Sequence, residues 1–181
     1  MAISPGRISH AVPDNRRRTV AVYRAHPVAF WVSLFLGLLL QLSLPVKLPL
    51  ARLFDFPVLL TIYFASVRRS KIFGIALGTA LGLVQDALSH GLLGMFGFAD
   101  AIVGYLSAHA SVRFEVENLG TRYVIAGVLV LVHSLLLIGL RSILFQAPPP
   151  LVPLNLATIV LVNVALALIM YPLLDRFKSP A

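Results

Sequence analysis

Six apolar runs, parted by short polar or proline-bearing breaks, limit what this chain can fold into. They lie at about residues 26–44, 56–67, 72–88, 95–112, 123–140 and 154–174. Crossing the hydrocarbon core of a bilayer takes about 20 apolar residues in a helix. Most of the runs come near that length, and the second is short. Hydrophobic residues make up 59% of the chain and charged residues 12%. Soluble domains are about half apolar and about a quarter charged, so this chain has too few charges to cover a folded surface in water. The expected fold class is all-α, a polytopic membrane helix bundle of about six transmembrane helices. The 181 residues leave no room for a second soluble domain of ordinary size. The expected division is a basic arm over 1–25 and a six-helix transmembrane domain over 26–178.

The breaks are legible in residue type. Trp31 lies near the start of the first run and Pro45 is expected to end it. Residues 46–56 hold Lys47, Pro49, Arg52 and Asp55 and read as an outer loop or interfacial turn. Part of 50–54 is expected to extend the second span, with Arg52 reaching back to the interface. Arg68, Arg69 and Lys71 stop that span, and residues 89–94 form a tight turn between the third and fourth. Arg113, Glu115, Glu117 and Arg122 make the next polar loop. Arg141 closes the fifth span, and the prolines of 146–150 cannot continue a helix. Asp175, Arg176 and Lys178 follow the sixth.

Charge placement gives an orientation. Of the 15 lysines and arginines, only Lys47, Arg52 and Arg141 fall in one set of loops. The rest fall with the chain termini, and loops rich in Lys and Arg stay on the cytoplasmic side. Both ends are therefore expected inside, which requires an even number of spans. The same rule accounts for the pI of about 10.6, so nucleic acid is not implied. Residues 1–25 include Pro5, Gly6, Pro13, Arg16, Arg17, Arg18 and Arg24. They read as a cytoplasmic arm near anionic headgroups, or more plainly as a topology signal, and not as a cleavable signal.

Catalytic chemistry finds few footholds. Without cysteine there is no disulfide, thiolate nucleophile or zinc–thiolate site. No histidine pair has metal spacing, and no phosphate-binding glycine loop or nucleophilic serine motif appears. The expectation is no enzyme, no cofactor and no metal.

The apolar runs do carry small and polar residues. Gly74, Gly78 and Gly82 recur every four residues and so line one helix face. Such a groove serves internal helix packing or a partner's helix. Gln85, Asp86, Ser89 and His90 gather at the outer end of the third span, where Asp86 and His90 are spaced to pair. A carboxylate at bilayer depth costs about 2.5–3.5 kcal/mol on insertion scales. Asp86 reads as a cap for the following turn in preference to a proton or substrate relay. Asp100 in the fourth span has His133, Arg141 or Asn155 as candidate partners. Asn163 sits mid-membrane and is expected to bond between helices. Asp86, His90, Asp100, His133 and Asn163 thus form a candidate intramembrane polar network.

The stretch GLVQDALSHGLLGMFGFADAIVGYL carries a spacing of Gly82, Asp86, Ser89, Leu93 and Gly94, then Tyr105 in the next helix. This order resembles the family of rod-shape-determining membrane protein MreD. Two further stretches look similar: FDFPVLL leading to RRSK, and NVALALIMYPLLDRF with its late proline. The resemblance extends from about residue 26 to 178. This sequence departs from the pattern in having His90 where a small residue is usual, an extra carboxylate at Asp100, and a longer basic arm. The resemblance implies a non-enzymatic scaffold in the inner membrane that binds the bitopic protein MreC. It also implies an assembly with MreB, RodA and a class B penicillin-binding protein that builds the wall of rod-shaped cells. It implies a fold similar to the substrate-binding subunits of energy-coupling-factor transporters. That kinship keeps a vitamin-type substrate-binding subunit as the alternative.

Overall fold

The computed structural model describes residues 23–89, 93–114, 118–145 and 153–180. Among the described residues there are six helices: α1 (Pro27–Lys47), α2 (Phe56–Arg68), α3 (Lys71–Leu88), α4 (Met95–Arg113), α5 (Leu119–Phe145) and α6 (Pro153–Asp175). A 3₁₀ turn, Pro49–Leu53, precedes α2. Five helical stretches are long and apolar enough to cross a membrane: α1, the 3₁₀ turn with α2, α3, α5 and α6. The exception is α4, whose 19 residues include Asp100, Ser107, His109 and Ser111. Three of these, Asp100, Ser107 and Ser111, are turned inward and buried. The chain is a membrane protein built as a helical bundle.

The bundle is organised around α2. Every residue from Phe56 to Ser66 is buried, and α2 touches each of the other five helices. A helix wrapped on all sides can be uniformly apolar, and at 13 residues it is the shortest of the six. Leu59, Leu60, Ile62, Tyr63 and Phe64 pack against Leu34, Leu77, Leu81, Val103, Leu129, Val130 and Tyr171 from its neighbours. Ser107 of α4 donates to the Ile62 carbonyl of α2 at 2.7 Å. Lipid is as apolar as leucine, so fit and interhelical hydrogen bonds hold these helices together, with little help from hydrophobic exclusion.

Helices α3 and α4 run antiparallel at close range. A Cβ at Gly74 would strike the Gly104 carbonyl, one at Gly78 the Asp100 carbonyl, and one at Gly82 the backbone of Phe96 and Gly97. The glycine ridge of α3 is thus covered along its length by the chain's own α4, as close backbone approach in lipid demands.

At one end of the bundle lie the α2–α3 junction, the C-termini of α4 and α6 and the start of α5. Backbone pairing joins β1 (Tyr23–Ala25) to β2 (Lys178–Pro180), antiparallel with Tyr23 opposite Pro180. The amide of His26 donates to the Phe177 carbonyl at 3.2 Å. This is the basic end. The 3₁₀ turn and the α3–α4 turn lie at the far end.

Several sequence expectations are corrected here. Pro45 does not end the first helix, which runs on to Lys47. A proline disturbs the turn before it and lacks only its own donor, and beyond it the amide of Leu48 still bonds to the Leu44 carbonyl. Residues 50–53 do extend the second span, which runs from Leu50 to Arg68, but not as one unbroken helix. They form the 3₁₀ turn and then an extended break, and α2 starts afresh at Phe56. The fifth helix begins before residue 123 and passes Arg141 to reach Phe145. Arg141 stays exposed, as a long cationic arm near a helix end can. Arg122, expected in a loop, is inside α5 and buried. The close of the basic arm, 23–25, is tied into a strand pair. The rest of that arm, the prolines of 146–150, Glu115, Glu117 and His90 lie outside the described residues.

Candidate functional site

Two polar constellations occupy the bundle, one near each end. The larger is built where α2 begins. The backbone is broken between the 3₁₀ turn and α2, so its N–H and C=O groups need partners inside the bundle. Two amide side chains supply them. Gln41 of α1 donates to the Phe54 carbonyl at 3.2 Å and accepts from the Phe56 amide at 3.0 Å. Asn163 of α6 accepts from the Asp55 amide at 2.9 Å and donates to the Leu53 carbonyl at 2.8 Å. Asp55 then caps α2 by accepting from the Val58 amide at 3.4 Å, and Pro57 sits in the first turn, where no donor is missed.

The Asp55 carboxylate continues inward. Its Oδ2 lies 3.5 Å from His133 Nδ1 on α5, and His133 Nε2 lies 2.9 Å from Asp100 Oδ1 on α4. Asp100, His133 and Asn163 are almost wholly buried. An imidazole held between two carboxylates joins α2, α4 and α5 through one ring. The ring is the near neighbour of both acids, yet among the described residues neither oxygen of Asp100 nor His133 Nε2 makes an aligned hydrogen bond. Of the three partners considered for Asp100, His133 is the one beside it. The side chain of Asn155 is outside the described residues.

Asp86 stands apart from this chain of contacts. Its Oδ2 accepts from the amides of Gly94 and Gly97 at 2.9 and 3.1 Å, and its Oδ1 from Phe96 at 3.1 Å. These are orphan donors at the start of α4, and a carboxylate also suits the positive pole of that helix. Gly94, at φ +100°, makes the turn that brings those amides round. Ser89 donates back to the Gln85 carbonyl at 2.5 Å, and Leu93 points outward, 77% exposed. Tyr105 is on the outer face of α4, its ring stacked parallel to that of His109 at 6.1 Å. So the motif from Gly82 to Gly94 is one device. It turns the chain and seats α4 on α3.

The second constellation is at the basic end. Arg122 of α5 grips Asp175 of α6 with two nitrogens, at 2.5 and 3.1 Å. Tyr63 of α2 donates to the same carboxylate at 2.9 Å. The guanidinium lies over the rings of Tyr63 and Tyr171, 5.0 and 4.7 Å from their centroids. The hydroxyl of Tyr171 bonds to the Leu59 carbonyl at 3.3 Å. Planar, bidentate and stacked, this is the bonding an arginine supports and a lysine does not.

Sequence reasoning missed Asp55, Gln41, Arg122 and Asp175. For Asp55 a signal existed: an Asp two residues before a Pro at the head of an apolar run marks a helix start. For Arg122 and Asp175 there was none, since both look like loop charges. Among the described residues no group of three His, Cys, Asp or Glu side chains is arranged to hold a metal.

No curated protein and no solved structure matches the chain. The family model described as rod shape-determining protein MreD matches residues 23–178. That span takes in all six helices, both polar constellations and the Gly82–Gly94 turn, and the chain belongs to the MreD family of rod shape-determining membrane proteins.

Proposed function

We propose that the chain is a non-enzymatic scaffold of the cell-elongation machinery in the cytoplasmic membrane. It binds an MreC-type bitopic protein and helps to position the peptidoglycan synthases. MreB, RodA and a class B penicillin-binding protein belong to the same assembly. Residues 26–178 cross the membrane six times, α4 included, with the basic end and both termini in the cytoplasm.

The observation that carries this reading is how the interior polarity is used. Asp55, Gln41 and Asn163 bond the α2 corner, His133 stands between the Asp55 and Asp100 carboxylates, and Asp86 is spent on the start of α4. Such residues fix helices in place, as a rigid scaffold needs. The alternative, a vitamin-type substrate-binding subunit, needs a cavity with several convergent polar groups. Among the described residues, a groove of about 380 Å³ between α5 and α6 is apolar and opens outward, lined by Val124, Gly127, Val128, Leu131, Val160 and Val164 with Tyr123.

Depletion of the chain from a rod-shaped host should give round cells, and the tagged chain extracted in mild detergent should carry an MreC-type protein with it. Cells that keep their rod shape after full depletion would refute the role. A normal shape defect with no MreC-type protein recovered after in-cell crosslinking would refute the partner alone.

A further inference from the structure

The outer face of α4 changes character along its length. Phe98 and Ile102 are followed by Tyr105, His109 and Arg113, the last three spaced four apart and so stacked on one stripe. Phe98, Tyr105 and Arg113 are exposed, and His109 is half-buried. Lys71, the first residue of α3, adds a second cation beside them. Its Nζ lies 5.5 Å from the centre of the Tyr105 ring. Gly74 meets Gly104 across the same seam, so Tyr105 is deeper in the bundle than Lys71. The lysine therefore folds inward over the tyrosine, where a lysine at a helix end ordinarily reaches out to water.

We propose that Lys71, His109 and Arg113, with the Tyr105 hydroxyl, bind the phosphodiester of an anionic glycerophospholipid whose acyl chains lie along Ile102 and Phe98. The stripe faces sideways, toward lipid, and not off the end of the bundle. Among the described residues no carboxylate pairs with Lys71, His109 or Arg113; the one described acid at this end, Asp175, is bound by Arg122. A monoanionic phosphate at the boundary between headgroup and acyl layer answers both the charge and the depth. Arginine and lysine together form charge-assisted hydrogen bonds to phosphate oxygens, and an interfacial tyrosine keeps its ring in the apolar layer and its hydroxyl at the phosphate.

The test uses the full-length chain in detergent, loaded with phosphatidylglycerol or phosphatidylcholine of the same acyl chains. Native mass spectrometry counts the lipids retained. Lys71→Gln with Arg113→Gln should lower phosphatidylglycerol retention roughly thirtyfold, since each interfacial cation contributes about a fivefold increment of attraction, and leave phosphatidylcholine unchanged. Inorganic phosphate should not displace the lipid. The control pair Arg68→Gln with Arg176→Gln removes the same charge from the same end and should change little. Equal loss in both pairs means diffuse surface charge and overturns the site, as does undiminished retention in the first pair. Displacement by inorganic phosphate overturns the lipid assignment. A photoactivatable phosphatidylglycerol on the unaltered chain gives an answer independent of folding. It should mark residues 102–113 of α4, and labelling confined to other helices overturns the proposal.

Discussion

The imidazole of His133 on α5 stands 2.9 Å from the carboxylate of Asp100 on α4, and both side chains are closed off from the surroundings. Removing one member of a buried polar pair strands the other, at about 1–3 kcal/mol. His133→Ala should therefore lower unfolding stability in detergent by about 1–3 kcal/mol. Adding Asp100→Asn to that variant should restore part of the loss, because a neutral amide is easier to bury alone. Additive losses in the double variant would show that the two residues act independently.

A second expectation concerns Gly78. A side chain there meets the backbone of Asp100 and Ala101, which cannot rotate away. Gly78→Val should force α3 from α4 and destabilise the bundle by about 1–3 kcal/mol or more. Gly139 on α5 makes the matched control, since open space surrounds it. Gly139→Ala should be neutral or stabilise by up to about 1 kcal/mol, through reduced backbone freedom in the unfolded chain. Thermal melts of the two proteins side by side read the difference. Equal melting temperatures would mean that the α3–α4 contact tolerates more separation than its geometry allows.

Asp86 offers a graded series. Its carboxylate accepts from three amides at the head of α4. Asp86→Ala orphans those donors and should cost about 2 kcal/mol or more, near the upper range for a lost charged cap. Asp86→Asn keeps one acceptor oxygen and should fall between. Hydrogen exchange at the first turn of α4 should speed up in the same order. If Asn matches Ala in both measurements, the charge and not the acceptor geometry is what the turn uses.

These three sites differ in how far the sequence announced them. The six helices were legible because continuous apolar runs leave few choices, and the ends of α3, α4 and α6 lie close to the expected breaks. The Gly74–Gly82 ridge was legible as a groove, since spacing of four fixes a face, but its occupant was not. Asp86 was legible as a cap because it sits near a helix end and not at mid-membrane, where an unpaired carboxylate costs most. What eluded the sequence were the long-range pairings. Asp55 reads as a loop acid until α5 is brought beside α2, and Arg122 and Asp175 read as topology charges until α5 and α6 meet at Tyr63. Nothing local distinguishes a paired terminal charge from a solvated one.

The Arg122 site makes the fourth expectation. Arg122→Lys keeps the charge and loses the second hydrogen bond and both ring contacts. The carboxylate of Asp175 is partly open, 32% exposed on the side chain, so the loss is moderated by solvent. A decrease of about 1–2 kcal/mol is expected, within the usual range for a single substitution. Arg122→Gln should be no more than slightly worse. If lysine matches the unaltered chain, simple charge attraction suffices and the stacking carries no weight.

The last expectation tests whether α4 crosses the membrane, since it alone among the six helices falls short in apolar character. It is packed against α3 over its whole length and antiparallel to it, so if α3 crosses, α4 has little room to do otherwise. Its inward residues Asp100, Ser107 and Ser111 explain the low hydropathy without placing polar groups in lipid. The chain has no cysteine, so single cysteines report without background. Leu93→Cys and Phe114→Cys flank α4, and both positions are exposed, 77% and 57%. In intact cells a membrane-impermeant thiol reagent should label residue 93 from outside, and should label residue 114 only after permeabilisation. Labelling of both from the same side would remove α4 from the set of spans and put the two chain ends on opposite faces. Labelling of 114 alone in intact cells would keep six spans and reverse their direction, against the weight of twelve of the 15 basic residues on that side.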